Sequence, residues 1–175
     1  MKTPWKTAGQ ACFLEVGGRP AVRFVRDYTA SAESVWAAVA EPEGLALWFP
    51  APDVRFRPVV GAEMTFSGDP VDPAATSTGR VLVVEPGSSL RFDWGGDEMW
   101  FDVVPVGDGA RFTLTNVLAE ENTAARNAAG WHQCLAPLDQ RFGEETESPP
   151  PDWREVLQRY VDAGFPQGAP IPGQG

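Results

Sequence analysis

The most informative segment of the chain reads Thr29-Ala-Ser-Ala-Glu-Ser-Val-Trp36 and closes at Leu47-Trp-Phe49. Ser31 is a good N-cap, and an acidic residue in the first turn faces the positive end of the helix dipole. Apolar residues then recur at helical spacing, which predicts one buried helix face. Pro42 ends this helix and suits the first turn of a second one. The segment therefore predicts two short helices after a strand.

A hairpin and a series of strands surround these two helices. Gly17-Gly18 lies between the apolar runs Ala11–Val16 and Ala21–Thr29, which predicts a hairpin. Two short strands are predicted after the helices, and a polar loop follows them. Three tight turns then separate four more strands. The predicted bounds of these elements are Arg55–Val60 and Ala62–Phe66 for the short strands, Ser67–Thr78 for the loop, and about 79–85, 88–94, 98–105 and 109–118 for the last four strands.

The three turns also predict how the last four strands align. If each hairpin loop has two residues, opposed residues lie on the same face of the sheet. Val103 then opposes Phe112, and one face of the sheet is covered while the other is largely exposed to water. The covered face has two cross-strand rows, Val83–Leu90–Phe101–Leu114 and Val81–Phe92–Met99–Asn116.

Apolar side chains also occur on the predicted exposed face. Leu82, Arg91, Trp100 and Thr115 form one cross-strand row there. One interpretation places Arg91 over the Trp100 ring, in a cation–π contact worth about 0.5–1 kcal/mol when exposed. The other interpretation makes this row a contact patch for another chain.

The chain is predicted to form a single domain over residues 1–175, with its core at about 10–143. One long helix follows the strands. Asn122 or Thr123 caps the helix, which runs to about Phe142 with apolar residues at helical spacing. Residues 144–151 are predicted to be a linker, and residues 152–164 an appended helix that opens with a capping box formed by Asp152 and Glu155. Residues 165–175 are expected to be a mobile tail.

Composition excludes several classes of partner. The formal net charge is −10, with 24 acidic and 14 basic residues, so neither nucleic acid nor a membrane surface is an expected partner.

No apolar run approaches the length of a membrane span, and Met1-Lys-Thr-Pro-Trp-Lys lacks the apolar stretch of a signal peptide. We therefore expect a cytoplasmic location. Cys12 and Cys134 fit buried free thiols better than a disulfide.

Two segments resemble a known family: Ala32-Glu-Ser-Val-Trp-Ala-Ala-Val-Ala-Glu-Pro-Glu-Gly-Leu-Ala-Leu-Trp-Phe49 and Thr123-Ala-Ala-Arg-Asn-Ala-Ala-Gly-Trp-His-Gln-Cys-Leu135. They are similar to the START-like (SRPBCC) superfamily, in the branch of bacterial homologues of the activator of the heat-shock-protein-90 ATPase. The resemblance implies an α+β helix-grip fold. In that fold a curved antiparallel sheet of six or seven strands wraps a long C-terminal helix, and two short helices follow the first main strand. It also implies an apolar cavity between sheet and long helix.

Two polar residues are candidates for chemistry in such a cavity. His132 is the only histidine, so it cannot build a zinc site alone, and no partner carboxylate is identifiable by spacing. It is either a hydrogen-bonded residue at the pocket edge or a residue that acts in ligand binding or proton transfer. Asn116 needs partners, supplied by water, by backbone or by a ligand. No catalytic residue, metal ligand or cofactor is assigned. The residues expected to line the cavity are Trp48, Phe66, Phe92, Trp94, Met99, Phe101, Leu114, Asn116, Trp131, His132 and Leu135.

Three functions fit these observations. The favoured one is a protein that binds a small apolar molecule between the sheet and the long helix. The first alternative is a protein-interaction module, either co-chaperone-like and acting through the outer sheet face or a homodimer. The second alternative is an enzyme of the cyclase or dehydratase type, which would need polar groups that converge in the cavity.

Overall fold

A single antiparallel sheet forms the framework of the structure, a computed structural model that describes residues 5–6 and 11–171. Among these residues the sheet has nine strands, in the order β1-β2-β3-β9-β8-β7-β6-β5-β4. In chain order the strands are β1 Trp5–Lys6, β2 Ala11–Val16, β3 Arg19–Tyr28, β4 Asp53–Arg55, β5 Glu63–Ser67, β6 Ser77–Glu85, β7 Ser89–Trp94, β8 Asp97–Val106 and β9 Gly109–Val117. Strands β4 to β9 are consecutive neighbours, and β3 pairs with β9.

Four α-helices complete the described part of the chain, and the α+β helix-grip class is confirmed. They are α1 Ala32–Ala40, α2 Pro42–Trp48, α3 Ala124–Arg141 and α4 Trp153–Asp162, with a short 3-10 turn at Glu121–Thr123. The Ser31 hydroxyl accepts a hydrogen bond from the Ser34 amide at 3.2 Å, as the capping pattern predicts. Asp152 caps α4 in the same way. Glu155 pairs with Arg159 instead of closing a capping box.

Among the described residues the sheet has nine strands, whereas the family resemblance implies six or seven and the residue patterns predict eight. The strand that no pattern predicts is β1, because a run of two residues carries no readable periodicity. The predicted strand Arg55–Val60 is wrong beyond its first residue. There the chain turns, with the Ala62 amide donating to the Val59 carbonyl and Gly61 at φ +87°.

The predicted register is confirmed from β7 to β9. Leu90 pairs with Phe101, which pairs with Leu114, and in the next row Phe92, Met99 and Asn116 are aligned. The position of Val83 is wrong. Residue Val84 lies opposite Leu90, because the β6–β7 loop has three residues instead of two. A bulge at Leu82 then restores the predicted pairing of Val81 with Phe92.

The outer face of the sheet carries charged and aromatic side chains in contact with one another. The Arg91 guanidinium carbon lies 4.2 Å from the centroid of the Trp100 ring, so the predicted cation–π contact is confirmed. The row differs at one end, where Val83 and not Leu82 pairs with Arg91. At the other end, the Arg23 guanidinium donates to the Thr115 hydroxyl at 2.9 Å. Arg91 therefore covers one face of the Trp100 indole. That this face forms a homodimer contact stays a prediction.

The segment after α4 packs against the rest of the molecule, whereas the sequence analysis expects residues 165–175 to be mobile. Phe165 is 2% exposed, and its ring centroid lies 5.0 Å from that of Tyr160. The Pro166 carbonyl accepts a hydrogen bond from the Ala125 amide, and the Ala169 amide donates to the Asn122 carbonyl. These two hydrogen bonds satisfy backbone groups in the 3-10 turn and in the first turn of α3. They hold the segment against the start of that helix. Residues 172–175 lie outside the described residues.

Candidate functional site

Aromatic side chains fill the space between the inner face of the sheet and α3. Trp48 and Phe49, at the end of α2, insert there. The Trp48 ring lies 5.3 Å from Phe101 and 6.3 Å from Trp131, centroid to centroid, and the Phe49 ring lies 5.6 Å from Phe66. Six of the predicted cavity residues are therefore interior packing residues: Trp48, Phe66, Phe92, Phe101, Leu114 and Leu135.

An open cleft of about 730 Å³ lies beside this interior. It is located where the β7–β8 turn faces the first half of α3, and the start of α4 and the last described residue close its sides. The cleft is lined by Pro50, Val71, Trp94, Gly95, Asp97, Met99, Asn116, Arg126, Asn127, Gly130, Trp131, Gln133, Trp153, Arg154 and Ile171.

Four of the predicted site residues come together in this cleft: Trp94, Met99, Asn116 and Trp131. The ring centroids of Trp94 and Trp131 are 6.2 Å apart, which gives the cleft a continuous indole wall. The cleft therefore lies toward one end of the sheet, and not in the space between the sheet and α3 where the cavity is predicted. The cause is Phe49, whose ring lies 4.9 Å from Trp94 and 5.7 Å from Trp131 and occupies the space behind both indoles.

Several cleft residues were not predicted. Asn127 lies four positions before Trp131 and three before Gly130, so helical spacing from Asn127 connects all three residues. Nothing lies within 4 Å of the position that a Cβ atom of Gly130 would take, and this glycine opens the cleft. Trp153 and Ile171 come from the C-terminal segment, and no sequence pattern indicates where that segment packs.

A polar network forms the floor of the cleft and explains the buried amide of Asn116. The Asn116 amide nitrogen donates to Asp97 at 2.9 Å, and its carbonyl oxygen accepts from Trp131 Nε1 at 3.1 Å and from Asn127 at 3.0 Å. Asn127 also donates to Asp97 at 3.1 Å. Protein groups, and not water or ligand, therefore supply these partners of Asn116. The network fixes the orientation of the Trp131 ring.

His132 lies outside the cleft, in a separate groove of about 440 Å³ between α3 and residues 145–151. Its Nδ1 shares a hydrogen bond of 2.8 Å with the Tyr160 hydroxyl, which joins α3 to α4. Burial lowers the pKa of His132, and the nearby positive charge of Arg26 lowers it further. His132 thus has a hydrogen-bonded position, but not at the edge of the cleft.

The lowered pKa predicts how stability depends on pH. The folded state binds the proton less readily than the unfolded state, whose imidazole pKa is about 6.5. The stability contributed by neutral His132 is therefore complete above about pH 6.5 and is lost as pH falls through the folded pKa. His132→Gln should flatten this part of the profile. We would measure the imidazole pKa by NMR and unfolding free energies from pH 5.5 to 7.5. A pKa at or above 6.5 would contradict the expectation.

A partly buried ion pair, Arg26–Asp139, lines this groove. Asp139 accepts hydrogen bonds from the Tyr28 hydroxyl at 2.6 Å and from Arg26 Nε at 3.2 Å. Burial and the Asp139 carboxylate raise the pKa of Tyr28 well above its usual value. On the same helix, burial raises the pKa of the Cys134 thiol to about 12, so this cysteine is not an activated nucleophile.

Two further observations concern the described residues. Within residues 5–6 and 11–171 there is no group of three or more His, Cys, Asp or Glu side chains that could hold a metal ion. In the same part of the chain, no helix has both the length and the apolar character needed to cross a membrane.

Solved structures with this fold come from several bacteria. CalU16 from Micromonospora echinospora is 18% identical, covers 87% of this chain and 92% of its own, and gives a TM-score of 0.65. The conserved protein of unknown function EF2215 from Enterococcus faecalis is 17% identical, with coverages of 89% and 91% and a TM-score of 0.70. The protein encoded by BPP1335 of Bordetella parapertussis is 23% identical, with 94% of both chains covered and a TM-score of 0.59. Identities this low show a shared fold alone.

Comparison of the sequence with protein families identifies the family, which the shared fold alone does not. A search of curated proteins gives no match. The family model described as activator of Hsp90 ATPase homolog 1-like protein matches residues 29–143, from the end of β3 to just past α3. This match covers most of the chain and confirms the resemblance found in the sequence. The chain therefore belongs to the family of activator of Hsp90 ATPase homolog 1-like proteins.

Proposed function

We propose that the protein binds a small, largely apolar molecule in the cleft between the β7–β8 turn and α3. The observation that carries this proposal is the cleft itself. Its volume of about 730 Å³ lies within the roughly 300–1,000 Å³ typical of small-molecule sites. Three indoles, of Trp94, Trp131 and Trp153, line it. Aromatic side chains provide large apolar contact area for a bound molecule, with few rotatable bonds to restrict.

The floor of the cleft supports the proposal, because it is ordered by protein contacts. The Trp131 indole is 4% exposed and is held by its bond to Asn116, while Trp94 Nε1 donates to the Ser77 hydroxyl at 3.0 Å. A ligand that contacts these rings would not have to order them. Preorganisation of this kind reduces the entropy lost on binding.

The polar groups of the cleft favour binding over a reaction. Asp97 is the carboxylate among the lining residues, and its oxygens already accept from Asn116, Asn127 and the Ala119 amide. Three of the roughly four acceptor positions of this carboxylate are thereby occupied, which leaves little capacity for taking up a proton from a substrate. His132 lies in the other groove, away from the cleft. We therefore propose a binding protein and assign no reaction to the cleft.

Gly130 allows a direct test. A leucine at this position would project into the cleft, since open space surrounds the missing Cβ. We expect Gly130→Leu to weaken binding of the neutral fluorescent probe N-phenyl-1-naphthylamine by at least about tenfold, a change of about 1.4 kcal/mol. The fold should persist, because replacing a helix-interior glycine by alanine or leucine stabilises a helix by about 0.5–1 kcal/mol. Probe fluorescence and thermal unfolding would measure the two effects.

Matched variants separate the cleft from other surfaces. Gly130→Ala adds one methyl group at the same place and should weaken the probe less than Gly130→Leu. Gln140→Leu adds the same apolar side chain to α3 beside the other groove and should leave probe binding at the wild-type level. If Gly130→Leu is folded and binds the probe as tightly as the wild type, the cleft is not the binding site.

A further inference from the structure

We infer that the molecule bound in this cleft carries an anionic group with two or more oxygens, such as a carboxylate or a sulfonate, on its apolar body, and that Arg126 and Arg154 contact this group. The inference rests on the proposed function and specifies its ligand. The charges on the cleft wall are its starting point. Arg126 and Arg154 line the cleft together with one acidic residue, Asp97. In the whole chain acids outnumber bases 24 to 14, so the cleft wall departs from the overall balance.

Asp97 supplies one negative charge against the two positive charges of the arginines, and protein donors already occupy its oxygens. Its Oδ2 accepts hydrogen bonds from the side chains of Asn116 and Asn127, and its Oδ1 accepts from the Ala119 amide at 2.9 Å. The wall of the cleft therefore keeps an excess of positive charge. A cationic ligand would have to compete with these donors.

Arg126 is held in position while retaining free donors. Its Nε donates to the Asn127 side-chain oxygen at 3.2 Å, and its Nη1 donates to the Pro170 carbonyl at 2.8 Å. Within the described residues no carboxylate lies within ion-pair distance of Arg126, and its Nη2 makes no hydrogen bond. The side chain is half-buried, which strengthens its interaction with an incoming anion.

Arg154, in the first turn of α4, also lines the cleft. Its backbone amide donates to Asp152, but among the described residues its guanidinium forms no ion pair or hydrogen bond. Planar guanidinium groups match the two oxygens of a carboxylate. The two arginines therefore provide anion contacts at the rim, above an indole wall that suits a flat apolar body.

The test compares two probes that differ by one anionic group. N-Phenyl-1-naphthylamine is neutral, and 8-anilinonaphthalene-1-sulfonate is the same ring system with a sulfonate. We expect the wild type to bind the sulfonate more tightly. The preference, taken as the ratio of the two dissociation constants, should fall about tenfold in Arg126→Gln. It should fall about threefold in Arg154→Gln, where the charge is more exposed, and Arg154→Lys should restore most of it.

The ratio distinguishes charge from structure. Arg126 also holds Pro170, so Arg126→Gln could alter the cleft, but such a change would affect both probes. Arg141→Gln removes a charge from the same helix outside the cleft and should leave the ratio unchanged. If the neutral probe does not bind, or ignores Gly130→Leu, the proposed function fails. If it binds in the cleft while the ratio ignores both arginine variants, the anionic ligand alone is overturned.

Discussion

Trp48→Ala should lower the free energy of unfolding by about 3–5 kcal/mol, the range for a large aromatic residue removed from a core. Trp48 is 3% exposed, and its ring contacts Phe101, Phe112 and Trp131. Its Nε1 also donates to the Ala38 carbonyl at 3.0 Å, which ties α2 to α1. Alanine would leave a cavity between the sheet and α3 together with a buried carbonyl that has lost its donor. Urea unfolding followed by circular dichroism would measure the change.

Trp100→Ala is the matched control. The same side chain is removed, but from the outer face, where it is half-buried and packs under Arg91. We expect a loss of no more than about 2 kcal/mol, most of it from packing and the cation–π contact. Equal losses for the two variants would mean that the interior around Trp48 is not tightly packed, and that it resembles the wall of a hollow cavity instead.

Asp139→Ala should lower the free energy of unfolding by about 3–4 kcal/mol, because it removes the charged acceptor of the hydrogen bonds from Tyr28 and Arg26, each worth about 1.5–3 kcal/mol. The Asp139 and Arg26 side chains are each 14% exposed. Alanine would also remove the acceptor of the Tyr28 hydroxyl, whose pKa should move back toward its usual value. Chemical denaturation at neutral pH and a spectroscopic titration of the tyrosine would measure both effects.

Asp27→Ala is the control for this ion pair. Asp27 binds Arg111 through two hydrogen bonds of 2.7 and 3.0 Å, so the chemistry is the same. The pair is exposed, with 56% of the Asp27 side chain accessible, and water screens it. We expect a far smaller loss of stability than in Asp139→Ala, because exposed ion pairs contribute little. A loss as large as that of Asp139→Ala would contradict the role assigned to burial.

Turn chemistry made most of the sheet predictable. Gly95-Gly96 and Gly107-Asp108 form two-residue loops, so the sequence alone predicts how the rows through Phe101 and Met99 align. The Pro86-Gly87 loop was misread because Ser88 also belongs to it. The additional loop residue shifts β6 by one position relative to β7. Val84 therefore pairs with Leu90 on the inner face, and Val83 pairs with Arg91 on the outer face. The bulge at Leu82 hides this error from sequence reasoning, because it returns Val81 to the predicted row.

The site was less predictable than the fold. Helical spacing places Trp131 on the inner face of α3, but it does not show that Phe49 occupies the space behind it. That contact joins parts of the chain far apart in sequence. The position of Trp153 also depends on contacts between distant parts of the chain, because the eight-residue linker 144–151 does not specify where α4 packs. Local patterns identify which side chains are buried, whereas the shape of the remaining space depends on long-range packing.

The division of the cleft between two parts of the chain affects what can be inferred from relatives. Trp94 and Trp131 lie within residues 29–143, the part that matches the family model, whereas Trp153, Arg154 and Ile171 lie beyond it. A relative that shares only the matched part would have one wall of the cleft and not the other. Ligand identity should therefore be compared only among relatives whose C-terminal segments also align.

The pairing of β3 with β9 constrains the order in which the chain can fold. Strands β4 to β9 form a meander whose neighbours are consecutive in sequence, and the last three hairpins have loops of two or three residues. The contact between Arg23 and Thr115 joins residues 92 positions apart. Closing a loop of that length costs chain entropy before any contact offsets it. We therefore expect the N-terminal hairpin to dock onto the meander after these hairpins have formed.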